Sequence, residues 1–170
     1  MTQHSHPANG NDSPLQFRVA TGADYPRIIA LVNSAYSIET FLQGTRTDDE
    51  RLTEMLQKGV ILLAEDSAGQ LLGCVYTEVR GPRGYMGQLA VDPVHQGKGL
   101  ARILVRAAEY RLRVEGCEVV DITVLNLRPE LPPIYRRFGY VENGIVEGFR
   151  STRQLAPGVE IHGIRMSKQL

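Results

Sequence analysis

The stretch Val91-Asp92-Pro93-Val94-His95-Gln96-Gly97-Lys98-Gly99 constrains this chain more than any other. An apolar run, Tyr85–Val91, stops at a proline, which cannot continue a strand ladder. Two glycines then lead into a helical pattern with apolar positions at Leu100, Ile103, Leu104, Ala107, Ala108 and Leu112, ended by Gly116. A strand thus runs through a tight turn straight to a helix N-terminus. Free backbone amides and the positive end of the helix dipole converge there, and small residues let an anion approach the backbone. Chemically this is a phosphate or pyrophosphate cradle. A Walker loop needs Gly-Lys followed by Ser or Thr, but Lys98 precedes Gly99. The dinucleotide pattern needs a third glycine where Arg102 stands. The pattern that remains is Gln/Arg-x-x-Gly-x-Gly/Ala, met by Gln96, Gly99 and Ala101.

The flanking segments alternate between the two hydrophobic periods. Gln16–Ala20 reads as a first strand, with Thr21 and Asp24 placed as a capping box for a helix carrying Tyr25, Ile28, Ile29, Leu31, Val32 and Tyr36. Thr47 or Asp48 caps a short helix with Leu52, Met55 and Leu56, closed by Gly59. Val60–Glu65 and Leu71–Arg80 read as a hairpin, and Gly81–Gly84 as the turn into the next strand. Val119–Leu125 suits an inner strand. Pro129, Pro132 and Pro133 push a short helix, Ile134–Phe138, to a start at or after the prolines. Tyr140–Val146 and Val159–Ser167 are terminal strands around a polar loop at Arg150–Pro157. The order β-α-α-β-β-β-α-β-α-β-β predicts a single α/β domain over 15–170.

The length, 170 residues, is that of one ordinary domain, and 19 Lys+Arg balance 19 Asp+Glu. Zero net charge excludes a chain held on nucleic acid or anionic lipid by bulk charge. Sixteen of the basic residues are Arg. Their planar fork suits carboxylate and phosphate, although a GC-rich genome gives the same bias. Cys74 and Cys117 lie in apolar stretches with no Cys or His at metal spacing, so neither a disulfide framework nor a metal site is expected. Residues 1–14 are polar and read as a flexible tail rather than a signal peptide. No apolar run approaches the roughly 18–20 residues of a membrane span. The expected compartment is the cytoplasm, with neither nucleic acid nor membrane as partner.

The turn, together with three further segments, resembles the GNAT superfamily of N-acetyltransferases. Leu89-Ala90-Val91-Asp92-Pro93 is similar to that family's strand and terminating proline, and Val119–Asn126 to the next strand. Tyr135-Arg136-Arg137-Phe138-Gly139-Tyr140 matches its Tyr-x-x-x-Gly-Phe/Tyr signature, and Ile164–Lys168 its last strand. The resemblance implies a mixed six- to seven-stranded sheet whose central strands, 85–91 and 119–125, splay apart. It implies acetyl-CoA as cosubstrate, with no metal. Pantetheine would pair with backbone groups of Leu89 and Val91, alongside Ala90, and pyrophosphate would sit on Gln96, Gly97, Lys98, Gly99, Leu100, Ala101 and Arg102. Lys98 and Arg102 either add charge there or are solvated helix-start residues.

The same resemblance implies an acetyl transfer to a primary amine of a small molecule or peptide by direct attack. Tyr135 is the expected general acid, because a phenol of pKa about 10 is protonated at neutral pH and can donate to a thiolate of pKa about 8.5. Glu78 is the expected base if its register places it opposite Gly87; otherwise it is a solvent-facing strand residue and ordered water takes the proton. Tyr36 and Glu39 fall where the family builds its acceptor site. Asn126, nine residues before Tyr135 across three prolines, either contacts the cofactor or shapes the acceptor side. Arg128, Arg136 and Arg137 either meet an acidic acceptor or the adenosine 3′-phosphate, or form a solvated face. The neutral total favours a small amine of mixed polarity over a histone tail or polyamine, and the sheet edges allow a homodimer. A non-catalytic acyl-CoA-binding sensor on the same fold is the alternative, and a nucleotide-binding regulator is disfavoured by the failed phosphate motifs.

Overall fold

The computed structural model describes residues 14–146 and 153–170. The expected tail lies outside them except for Pro14, as does part of the expected loop at 150–157. The elements are β1 (Gln16–Val19), α1 (Tyr25–Ala35), α2 (Asp49–Leu56), β2 (Val60–Glu65), β3 (Leu71–Arg80), β4 (Arg83–Val91), α3 (Leu100–Val114), β5 (Val119–Leu125), α4 (Leu131–Arg137), β6 (Val141–Val146) and β7 (Gly163–Gln169). They follow the order predicted from the two periodicities. One seven-stranded sheet runs β1-β2-β3-β4-β5-β7-β6.

Alternation along the strands divides the core between the two faces of the sheet. Ile61 and Leu63 of β2 pack with Ile28 and Val32 of α1 and Leu52 of α2. Their neighbours Leu62 and Ala64 pack with Leu104, Val105 and Ala108 of α3 on the other face. Among the described residues, no helix is long and apolar enough to cross a membrane.

The centre of the sheet is where its regularity fails. β4 runs parallel to β5 but pairs with it only through Arg83↔Val119, Gly84↔Val120 and Tyr85↔Asp121. Beyond Tyr85 the two strands separate, while β5 stays paired with β7 along its full length, from Val119↔Gln169 to Leu125↔Gly163. On its other side β4 carries a bulge: Cys74 pairs Ala90 and Tyr76 pairs Gly87, leaving Gln88 and Leu89 opposite Val75. Gln88 has φ 46°, a left-handed conformation uncommon for a side-chain-bearing residue.

Three boundaries differ from expectation. Arg80 pairs Arg83, so the hairpin turn is only Gly81-Pro82, and Glu78 faces Tyr85 rather than Gly87. α4 begins at Leu131, one residue before Pro132 and Pro133, because first-turn amides have no intrahelical acceptor to lose. β7 starts at Gly163, not at 159, since the segment before it closes on Asn126 instead of joining the sheet.

An ion network fastens the N-terminal edge. Arg18 of β1 donates to both Asp24 oxygens (2.8 and 2.7 Å) and both Glu65 oxygens (2.9 and 2.8 Å), and Arg27 of α1 adds a 2.9 Å bond to Glu65. The Arg18 guanidinium holds both carboxyls below the ordinary carboxylate range. They therefore bind fewer protons folded than unfolded, and their stabilisation is complete above their ordinary pKa near 4 and lost as pH falls through the folded values. Thermal unfolding scanned from pH 7 to pH 2 is expected to show Tm falling below about pH 4, with Asp24→Asn flattening that fall and lowering the neutral-pH plateau.

Candidate active site

The glycine turn forms as the sequence predicts. Gly97 (φ 75°) and Gly99 (φ 83°) take left-handed conformations, and Gly99 is the N-cap of α3 with no side chain capping the first turn. A cavity of about 640 Å³ opens in front of it. Its walls are Leu89 and Val91 of β4, Gln96, Gly97 and Gly99 of the turn, Leu100, Ala101 and Arg102 of α3, and Tyr135 of α4. A Cβ at Gly99 would meet no atom within 4 Å, so glycine is required there by backbone conformation, not by space. Gly99→Ala is expected to raise the dissociation constant for CoA about tenfold, through a strain of roughly 1–2 kcal/mol that reorients the cradle amides. Calorimetry with CoA checks this.

The edge of β4 is partly occupied already. The Val91 carbonyl accepts from Gln96 Nε2 (3.1 Å), and the Leu89 carbonyl from the Tyr36 hydroxyl (3.0 Å). The Asp92 amide points the other way, to Leu72 of β3 (2.9 Å). Since both polar groups of a strand residue face the same neighbour, the Val91 amide is aimed into the parted strands. Both carbonyls thus already accept one hydrogen bond from within the protein. Ala90 is a core residue opposite Cys74 and does not line the cavity.

Tyr135 sits with its ring edge-on to Phe138 and Tyr140, at centroid distances of 6.0 and 5.7 Å. Its hydroxyl makes no hydrogen bond among the described residues and its side chain lines the cavity. Burial raises its pKa, and the neighbouring Tyr36 and Tyr85 raise it further. The hydroxyl is therefore protonated throughout the neutral range.

A second cavity, of about 370 Å³, is walled by Tyr85, Gly87 and Gln88 of β4, by Tyr76 and Glu78 of β3 and by Leu125 of β5. Gly87-Gln88 line one cavity and Leu89 the other, so the two lie on either side of the bulge. Packing there is close: a Cβ on Gly87 would lie 2.8 Å from the Tyr85 ring. Glu78 does line this second cavity, but its carboxylate accepts two 2.9 Å bonds from Arg80 and one of 3.0 Å from the Tyr76 hydroxyl. The Arg80 guanidinium holds its pKa below the ordinary carboxylate value.

The remaining expected residues separate. Asn126 lines neither cavity; it accepts from the His162 amide (2.8 Å) and donates to the Glu160 carbonyl (3.4 Å), clamping the end of β5 to the segment before β7. Lys98 does not reach the cavity wall. The three arginines divide: Arg137 and Arg128 line the larger cavity, while Arg136 pairs with Glu142 on β6. Arg128 also bonds Glu39 (3.2 Å) and Glu130 (2.5 Å). Glu39 is 4% exposed and is shared by Arg46, Arg128 and Arg153. Spacing alone missed Gln88, Tyr85 and this arginine cluster. The residues concerned are brought together only by a bulge and by long-range contacts, which leave no local pattern.

A mixed open sheet with two parted central strands above a glycine turn at a helix N-terminus is the architecture of the acyl-CoA N-acyltransferase fold. The chain belongs to the acetyltransferase (GNAT) family, whose model matches residues 26–140. It is 32% identical over 125 residues to a mycothiol acetyltransferase of Propionibacterium freudenreichii subsp. shermanii, a match that covers 69% of this chain and 40% of that protein. The chain thus spans less than half the length of that relative. It is 32% identical over 151 residues to glucosamine 6-phosphate N-acetyltransferase 1 of Oryza sativa subsp. japonica, covering 83% of this chain and 90% of that one. The structure of an IAA acetyltransferase from Bacillus cereus superposes with a TM-score of 0.69 at 18% identity, covering 92% of this chain and all of the other.

Proposed function

We propose that this protein transfers an acetyl group from acetyl-CoA to a primary amine of a small molecule or peptide by direct attack, with Tyr135 as the general acid. The observation that carries this reading is the Tyr135 hydroxyl, which is kept protonated by burial and has no described hydrogen-bond partner. It lines the same cavity as the glycine turn and the open edge of β4.

The residues present fit the cosubstrate. Gln96, Gly97 and Gly99 through Arg102 would hold the pyrophosphate through uncapped amides, and the Val91 amide would receive pantetheine as an added strand does. Acetyl-CoA supplies the activated acyl group as a thioester. Amides at the parted edge of β4 stabilise negative charge on the carbonyl oxygen under attack. Tyr135 holds a proton where a departing thiolate requires one. Glu78, ionised and bound to Arg80 and Tyr76, is a poor proton acceptor. The amine instead gives up its proton to bulk solvent by way of the acceptor cavity before it attacks.

Release of free thiol from acetyl-CoA with a panel of amines tests the reaction. Titration calorimetry with acetyl-CoA, CoA and ATP tests the cavity. Amine-dependent thiol release supports the enzyme. CoA binding without turnover on any amine leaves a sensor module, and ATP binding without CoA binding overturns both readings.

A further inference from the structure

The smaller cavity carries an excess of cations although the chain as a whole is neutral. Arg46, Arg51, Lys58, Arg80 and Arg153 line it against two carboxylates, Glu54 and Glu78. Internal partners answer part of this charge: Glu78 binds Arg80, Asp48 binds Arg51 at 3.0 Å, and Glu39 is divided among three arginines. The Lys58 ammonium, just beyond α2, makes no hydrogen bond or ion pair among the described residues, yet its charge is felt at Glu78. Arg153 is buried, and its pKa lies below its ordinary value through burial, with Arg46 and Arg51 adding like-charge repulsion. Two further polar groups on this wall, Thr47 Oγ1 and Gln88 Oε1, are buried without a partner among the described residues. Buried polar atoms in folded proteins are nearly always paired, so an exposed surplus of charge beside two orphaned groups marks a ligand site.

We infer that the acceptor is an anionic amine, with its nitrogen beside Gly87 and Gln88 and its carboxylate or phosphate received by Lys58 and Arg51 on the α2 side. This rests on the acyl-transfer reading, which sets the place of the nitrogen. A partly enclosed wall with an excess of one sign concentrates ligands of the opposite sign. The same cations disfavour the ammonium form of the bound amine, which attacks only when neutral. The cavity thus performs, by field, part of what a base would do, and Glu78 is released from that role. A polyamine or a basic peptide meets repulsion in the same place.

The test uses the whole protein saturated with CoA, so that anions cannot report on the cosubstrate site. Inorganic phosphate and acetate are titrated separately while the amide resonances of Arg51, Lys58, Gly87 and Gln88 are followed by NMR. One or both anions are expected to shift them saturably, and the stronger arm tells phosphate from carboxylate recognition. Lys58→Ala is expected to weaken the binding about tenfold, the scale of one hydrogen bond to a charged partner, and Lys58→Arg to restore most of it. In turnover, 2-aminoethyl phosphate or β-alanine is expected to show a KM at least tenfold below that of ethylenediamine, with Lys58→Ala raising KM by a larger factor than it lowers kcat. Absence of saturable shifts with both anions, insensitivity to Lys58→Ala, or a lower KM for ethylenediamine overturns the proposal. Failure of CoA to bind in the first step overturns the acyl-transfer reading instead.

Discussion

Tyr135→Phe is expected to lower kcat by about 100- to 10,000-fold while leaving the dissociation constant of CoA within about twofold of the unmodified protein. The substitution removes one oxygen from a ring that stays packed edge-on to Phe138 and Tyr140. No described hydrogen bond is lost, so stability should barely change. The loss falls on proton donation to the departing thiolate. Steady-state kinetics with CoA calorimetry separates the two quantities. An unchanged kcat removes Tyr135 from the mechanism, and a parallel loss of CoA affinity reassigns it to binding.

Glu39→Gln is expected to destabilise the fold by about 3 kcal/mol, because removing one member of a buried ion cluster leaves its partners uncompensated. For a chain of this length that is a fall in Tm of roughly 6–12 °C. Glu39 is buried, and Arg153, one of its three arginines, is buried with it. The cluster ties the loop after α1 to Arg128 before α4 and to Arg153 near the C-terminus. The backbone reinforces the tie through Gln43 to the Gln154 carbonyl (2.8 Å) and Ala156 to the Phe41 carbonyl (3.0 Å). The loop after α1 and Arg153 line the smaller cavity, the proposed acceptor site, so the variant should also raise KM for the amine more than KM for acetyl-CoA. Differential scanning calorimetry and two-substrate kinetics read the two effects. A Tm unchanged within 2 °C would mean that the arginines find water or other partners at no cost.

The Glu78 register shows how a local reading goes astray. Counting from a four-residue turn puts Glu78 opposite Gly87, but the strands close on Gly81-Pro82, so it pairs with Tyr85. A shift of two keeps the side chain on the same face of the sheet, which is why Glu78 still reaches the smaller cavity. Arg80 then captures it, an ion pair that strand pattern does not reveal. Asn126 is the opposite case: its position at the end of β5 was legible, but its partners are His162 and Glu160, distant in sequence.

What the amino-acid sequence determined by itself was whatever depends on local backbone preference and on hydrophobic period. The element order follows from periods of 2 and 3.6, and the cradle follows from Gly97 and Gly99, whose positive φ is encoded where they stand. The short helix that carries Tyr135 belongs with them, because its pattern is local, but its place at the same cavity as the turn is not. Only the tertiary structure decided the rest. The bulge at Gln88 and the gathering of Arg46, Arg51, Lys58 and Arg153 around one cavity each join segments far apart in the chain, whereas the parting of β4 from β5 was already implied by the family resemblance. Charge totals cannot foresee this. A neutral sum is an average over the whole surface, whereas a bound molecule meets only the field of the few side chains that folding has turned toward it.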